Sequence, residues 1–499
     1  MTARVLFRRY AHGRLLQNGR QFSSSLTSER YPALQRDDFG RLMDSDLQVF
    51  EKLLGKTNVL VDDLDGYNED WLGIYRGASQ CVLRPRTSEE CSAVLKHCNG
   101  RRLAVCTQGG NTGLVGGSIP LFDEVILSTQ RLNQQIDLQP VTGILQCSSG
   151  CILEQLDDHV HEHGYMMPLD LGAKGSCHVG GNVATAAGGM RLIRYGSLHA
   201  HVLALHVVLA DGGILKCGSA LRKDNTGLHL PHLFVGSEGS LGVITNVTMT
   251  VVPKPQSLKL ALLAVRSFEN CVSLLVLARR RLGEILSSFE FMDAGTVECV
   301  VQNLNDHNPL AHTKSPFYIL VESAGSNDEH DGAKMDDFLA DALEQELALD
   351  GIQASSESQR TQLWNLRERG AEALKCDGYT YKQDFSVSHE HYYELCEATR
   401  DRVGHLATRV VLYGHLGDCN AHLNITSPEF DPRIQERLYP WLYEWVCERG
   451  GSISAEHGIG FAKRAYAHFS NTQQNLRWMR ELKKLFDPKG ILNPYKGAV

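Results

Sequence analysis

The 499-residue sequence has no CxxC pair, and its 14 cysteines are scattered without paired spacing. That excludes a disulfide framework and predicts reduced, mostly buried thiols in a reducing compartment. No apolar run approaches the ~20 residues that span a bilayer. The most apolar stretches, such as residues 202–210, are broken by His206 or bounded by Asp211-Gly212, so they read as buried strands and no membrane span is expected. Beyond the first 28 residues there is no basic block, and the net charge is −8, which argues against nucleic acid as a partner. Neither GxGxxG nor GxxxxGK[ST] occurs, so neither Rossmann nor P-loop chemistry is indicated. The absence of an HExxH helix argues against a zinc peptidase.

The length exceeds what one hydrophobic core usually serves, so two or three domains are expected. The 46 glycines bunch in the first half, where they need a local explanation. The first 28 residues hold Arg4, Arg8, Arg9, Arg14 and Arg20, a run of three serines at 23–25, and no acid. Interleaved Val5, Leu6, Phe7, Leu15 and Leu16 allow a basic amphipathic helix, the composition of a mitochondrial transit peptide and not of a secretory signal. Residues 1–22 are therefore expected to be removed after Phe22, leaving a mature protein in the mitochondrial matrix.

From Cys81 onward the pattern reads β-α-β: a strand at 82–84, a helix started by Thr87 and Glu90 as a capping box, then a strand at 103–106. Cys91, Val94, Leu95 and Cys98 fall on one face of that helix. Strands follow at 125–128 and 144–147, a helix near 153–163, a hairpin from 202 closed by Asp211-Gly212-Gly213, and a strand at 243–252. Pro253-Lys254-Pro255 interrupts the pattern and predicts a domain boundary. Beyond it strands (289–292, 317–322) alternate with longer helices (336–347, 361–374), and an amphipathic helix spans 476–486. The expected organisation is a leader (1–22), an N-terminal segment (23–75), a cofactor domain (76–255), a substrate and metal domain (256–475), and a C-terminal helix and tail (476–499).

Gly109, Gly110, Gly113, Gly116 and Gly117 lie within nine residues, directly after a strand. Such a loop can present successive backbone N–H groups to an anion such as a pyrophosphate. Alone it would be equally well a turn with nothing bound, but two more glycine loops follow, at 168–189 and 236–244. Together the three resemble the FAD-binding domain of the vanillyl-alcohol oxidase and p-cresol methylhydroxylase type flavoproteins. The resemblance implies an α+β fold: two subdomains clasping an extended FAD, covered by an α+β substrate domain. It assigns FAD to Gln108, Gly109, Gly110, Asn111, Thr112, Gly113, Gly116 and Gly117 in the first loop. In the second it assigns Pro168, Asp170, Gly172, Gly180, Gly181, Asn182 and Thr185, and in the third Glu238, Gly242 and Ile244, with Asn493 from the tail. Members with covalent flavin often carry a histidine at the first loop; Asn111 there implies a non-covalent FAD.

In the second half, residues 409–416 and 421–426 read as strands joined by a turn at 417–420, a register in which His415 faces His422. Two imidazoles so placed can share a metal ion, although without a further acid such a pair is more often structural. Glu456 offers a third ligand. Its neighbour His457 points the other way in extended backbone and is the economical acid–base group. Two histidines and a carboxylate leave coordination positions open, a catalytic pattern. The segments Gly414-His415-Leu416-Gly417-Asp418, His422 with Asn424, and Ser454-Ala455-Glu456-His457-Gly458 resemble the 2-hydroxy-acid dehydrogenase branch of the flavoproteins. The resemblance implies that His415, His422 and Glu456 bind Zn2+, that His457 and Asn424 contact substrate, and that Arg367 and Lys382 hold its carboxylates. At the position where the branch has a substrate-touching threonine stands Ala371, and at a turn position usually held by glycine stands Cys419. Cys419 is expected either to be strained there or to crowd the metal with its thiolate.

The reaction so implied is oxidation of a small dicarboxylic 2-hydroxy acid: metal on the hydroxyl, His457 taking its proton, hydride to flavin, and electrons onward to electron-transfer flavoprotein. A D-lactate or glycolate dehydrogenase on the same scaffold is the nearest alternative, and a metal-dependent hydrolase the alternative from another class. Sequence leaves the oligomeric state open, a homodimer included.

Overall fold

The β-α-β unit after Cys81 folds as the strand Val82–Leu83, the helix Ser88–Arg101 and the strand Val105–Gln108. This computed structural model describes residues 25–498, so the expected leader at 1–22 lies outside the described residues. Thr87 caps the helix by accepting the Glu90 N–H at 3.2 Å. The Glu90 carboxylate returns to the Arg86 N–H at 2.7 Å, one residue earlier than in a capping box. Cys91, Val94, Leu95 and Cys98 are all fully buried under this helix.

Two larger sheets build the first half, beside a two-stranded pair of Tyr165–Met166 with Val252–Pro253. One has four strands in the order Val59–Leu60, Val82–Leu83, Val125–Ser128, Val105–Gln108, the last three parallel. The other is an antiparallel sheet of five, Ile136–Gln139, Ile144–Ser148, Val243–Thr250, Val202–Val208 and Ile214–Gly218, the last two being the expected hairpin. The three glycine loops approach one another; a Cβ on Gly117 of the first would lie 3.8 Å from Glu238 Oε2 of the third. Gly110 shows how tightly: a Cβ there would sit 1.9 Å from the Ser176 carbonyl oxygen, so only glycine lets the first loop touch the second.

After Val252–Pro253 the chain enters a large antiparallel sheet, ordered Asp350–Gln353, Ser257–Val265, Phe317–Gly325, Leu286–Asp293, Arg409–His415, Asn420–Ser427, Tyr379–Lys382, with Phe385–Ser386 also pairing onto Asn420–Ser427. One face packs on the helices Phe268–Leu282, Asp328–Glu344 and Glu394–Val403 through residues such as Phe289, Phe291, Leu412, Leu423 and Ile425. Period-two alternation sends Met292, Val411 and Tyr413 to the other face, which the helices Ala294–Leu304 and Glu357–Glu368 cover only in part. Glu290, His415, His422, Asn424 and Lys382 share that second face.

Helix bounds differ from expectation: the helix expected over 336–347 runs Asp328–Glu344, starting from the Asn327 cap. The helix expected over 361–374 is two helices, Glu357–Glu368 and Gly370–Lys375. The break falls at Arg369, whose backbone leaves the helical region at φ −85, ψ 3. The last helix, expected over 476–486, starts earlier and runs Gln473–Phe486, with Leu476 buried and Trp478 and Leu485 exposed. The tail beyond it does return to the first glycine strand: Val105 N–H donates to the Ile491 carbonyl, and Asn493 N–H to the Val105 carbonyl.

Candidate active site and metal centre

The hairpin register differs from the expected one. Tyr413 opposes His422, and His415 opposes Asn420, because the turn falls on Leu416–Asp418 and Cys419, one residue earlier than expected. Moving a four-residue turn by one position shifts the register by two, which preserves the face of every side chain. His415 and His422 are thus diagonal neighbours with ring centroids 5.3 Å apart. Their ligand atoms and that of Glu456 lie within 4.8 Å of one another, with His415 Nε2 3.7 Å from Glu456 Oε1.

Glu290, which sequence reasoning missed, orients this trio. Its Oε1 accepts from His415 Nδ1 at 2.8 Å and from Ser288 Oγ at 3.0 Å, and its Oε2 accepts from Arg367 Nε at 2.8 Å. With Nδ1 turned to Glu290, Nε2 of His415 is the nitrogen left on the Glu456 side, where it could ligate a metal once deprotonated. Burial opposes charge on His415, yet the adjacent Glu290 carboxylate prevails and raises its pKa to about 9. Burial also raises Glu456 to about 7, against the pull of His415. His422 is pushed well down, by burial first and by His415 second.

A second missed carboxylate, Asp384, is buried behind the other side of the site. It accepts the backbone N–H groups of Glu456 and His457, both at 3.0 Å, and the Asn420 side-chain amide at 2.8 Å. His457 Nδ1 lies 3.5 Å from Asp384 Oδ2, and His422 Nδ1 3.8 Å from Oδ1. Nε2 of His457 has no hydrogen-bond partner among the described residues. Lys463 stands 4.0 Å from the same carboxylate. The signal for Glu290 was present in sequence, as a lone carboxylate inside an apolar strand; Asp384, in the gap between Tyr379–Lys382 and Phe385–Ser386, carried none.

Arg367 is buried, its guanidinium 4.8 Å from the centre of the Tyr413 ring, with one nitrogen used by Glu290. Lys382 sits opposite Asn424 in the sheet and has no hydrogen-bond or ion-pair partner among the described residues. Burial, and next the charge of Lys375, lowers its pKa to about 8. Ala371 is the second residue of the short helix Gly370–Lys375 and brings no polar side-chain atom. Cys419 takes φ +70, the strained alternative, and its Sγ lies 3.6 Å from the His389 ring nitrogens, apart from the metal trio.

At the glycine loops, Thr107 Oγ1, Ser149 Oγ and Asn182 Oδ1 are buried without a hydrogen-bond partner, while Gly113, Gly172 and Gly181 face open space. A cofactor carrying sugar hydroxyls and phosphates fits such a lining. Asn111, at φ +54, braces the first loop through the Gly66 and Glu69 carbonyls and the Ser118 hydroxyl. The Gln108 amide is spent on the Tyr67 and Ser118 carbonyls, and Asp170 pairs with Arg191 and Lys174. Thr185 bonds back to the Gly181 carbonyl, and the Ile244 side chain belongs to the core. Asn493 donates to the Gly117 and Glu238 carbonyls. His178, not anticipated, lies against Gly109 and shares a 2.9 Å hydrogen bond with Thr129; burial pushes its pKa down.

The family described as "FAD binding domain" matches residues 79–218, and "FAD linked oxidases, C-terminal domain" matches residues 254–497. The fold is similar to that of p-cresol methylhydroxylase with substrate bound, at a TM-score of 0.74 and 16% identity, over 91% of this chain and 96% of that one. The chain is 50% identical to the mitochondrial D-2-hydroxyglutarate dehydrogenase of Rattus norvegicus, covering 94% of this chain and 88% of the relative. It is 46% identical to the protein of that name from Arabidopsis thaliana, over 97% and 86%. The chain belongs to the FAD-linked oxidases, an α+β flavoprotein family, and within them to the group whose members are named D-2-hydroxyglutarate dehydrogenase.

Proposed function

We propose that this protein oxidises D-2-hydroxyglutarate to 2-oxoglutarate in the mitochondrial matrix, with FAD bound at the glycine loops and Zn2+ at His415, His422 and Glu456. The observation that carries this reading is the open two-histidine, one-carboxylate cluster facing the flavin-binding half of a chain so close to the named dehydrogenases. When bound, FAD supplies the two-electron acceptor and the metal a Lewis acid beside the substrate hydroxyl. Arg367 and Lys382 hold the two carboxylates, and Asn424 donates a hydrogen bond to the substrate. His457, lowered in pKa by burial against the opposing pull of Asp384, is neutral near pH 7 and takes the hydroxyl proton at Nε2. Electron-transfer flavoprotein is the proposed acceptor, as the family resemblance implies.

Ala371 favours one second reading, a D-lactate or glycolate dehydrogenase, because it removes a polar contact suited to a longer acid. Anaerobic bleaching of the bound flavin across a panel of D-2-hydroxy acids tests both. Fastest bleaching by D-2-hydroxyglutarate, lost on metal chelation, is the expected result. Faster bleaching by D-lactate, or no effect of chelation, refutes the reading above.

A further inference from the structure

The loop that carries Glu456 and His457 is short, glycine-rich and held from two sides. From the substrate domain, Asp384 accepts the N–H groups of Glu456 and His457. From the third glycine loop, Glu238 accepts the N–H of Ile459 at 2.8 Å with one oxygen and that of Gly460 at 2.7 Å with the other. Gly460, at φ +48, passes so close to the first glycine loop that a Cβ would lie 2.3 Å from the Val115 carbonyl oxygen. That carbonyl also accepts the N–H groups of Phe461 and Ala462, and the Gly460 carbonyl accepts the Gly497 N–H from the tail. The segment bearing a metal ligand and the acid–base histidine is thus bolted to the flavin-binding half, and Glu238 supplies the only side-chain carboxylate on that side of it among the described hydrogen bonds.

We propose that Glu238 is a positioning residue, not a cofactor ligand: its carboxylate crosses the domain boundary to fix the Glu456–Gly460 loop over the flavin site. Both of its oxygens are spent on backbone N–H groups, at 2.8 and 2.7 Å. Aspartate would fall short by a methylene, and glutamine would turn an N–H2 group toward one of two N–H donors. The proposal rests on the reading of Glu456 and His457 given above.

The test compares FAD-loaded wild type with Glu238→Gln and Glu238→Asp. Three quantities are measured: amide hydrogen exchange across 455–462, FAD content, and the rate of anaerobic flavin reduction against substrate concentration. Exchange at Ile459 and Gly460 in Glu238→Gln is expected to speed up about tenfold or more. The limiting reduction rate should fall by roughly 10- to 100-fold, with FAD content and half-saturating substrate held within about twofold. Glu238→Asp, which keeps the charge, should fall between, and it carries the same measurements if the glutamine variant does not fold. Unchanged exchange in the loop, or activity lost only in proportion to FAD content, overturns the proposal. Wild-type protein that no 2-hydroxy acid reduces would refute the proposed function instead, while the exchange data still decide whether Glu238 clamps the loop.

Discussion

Glu290 concentrates three donors on one carboxylate that is 1% exposed, which makes its replacement by glutamine a demanding perturbation. Arg367 Nε, His415 Nδ1 and Ser288 Oγ all point at it within 3.0 Å. Burial alone would raise its pKa, but His415 and then Arg367 hold it below the usual carboxylate range, so it is a full anion at neutral pH. Glutamine offers one acceptor oxygen and confronts the remaining donor with an N–H2 group, and it leaves the Arg367 charge without its counter-ion. Partners of this kind behind a metal ligand are worth about 10- to 100-fold in metal affinity. Breaking a buried ion pair costs about 3–5 kcal/mol of stability. A proton inventory gives an independent check. His415, at about pKa 9, is protonated in the metal-free site near pH 7.5 and must release that proton to ligate, so loading one Zn2+ should release about one proton from it. Metal affinity should therefore rise with pH until about 9. In Glu290→Gln the stabilising anion is gone, His415 is neutral beforehand, and that release vanishes. Zinc titration of the metal-free, FAD-loaded protein in two buffers of different ionisation enthalpy measures both quantities. Zinc affinity within threefold of wild type, together with an unchanged proton release, would refute the assignment of Glu290 as the group that orients His415.

Lys382 is charged below about pH 8 and loses its proton above it, so kcat/KM for the dicarboxylate should decline through pH 8 on the basic side, and Lys382→Arg should remove that decline. A profile in the arginine variant that still breaks at pH 8 would point to another group. Cys419→Gly relieves a left-handed conformation that disfavours any side chain, and should stabilise the protein to urea by about 1 kcal/mol. A loss of stability would mean that the Sγ contact with His389 outweighs the strain. Ala371→Thr should lower KM for the dicarboxylate by roughly 2- to 10-fold, one neutral hydrogen bond's worth, without a matching gain for D-lactate; equal gains for both would remove Ala371 as a specificity determinant.

Sequence alone determined the local and periodic features of this protein. The helix Ser88–Arg101 was legible because its cap and its apolar face are encoded within one stretch of fourteen residues. The glycine loops announced themselves by composition, and His415 with His422 by the two-residue period of a hairpin, which keeps side chains on one face even when the turn is misplaced by a residue. Tertiary structure decided what separation in sequence concealed. Glu290 and Arg367 meet 77 positions apart, and Glu238 reaches Ile459 across 221; no periodicity encodes such distances. Glu238 read as a cofactor ligand and Glu290 was not singled out, until folding removed water from around both. What remained to satisfy each was a donor from another strand or another domain, because a buried carboxylate without such a partner is too costly to keep.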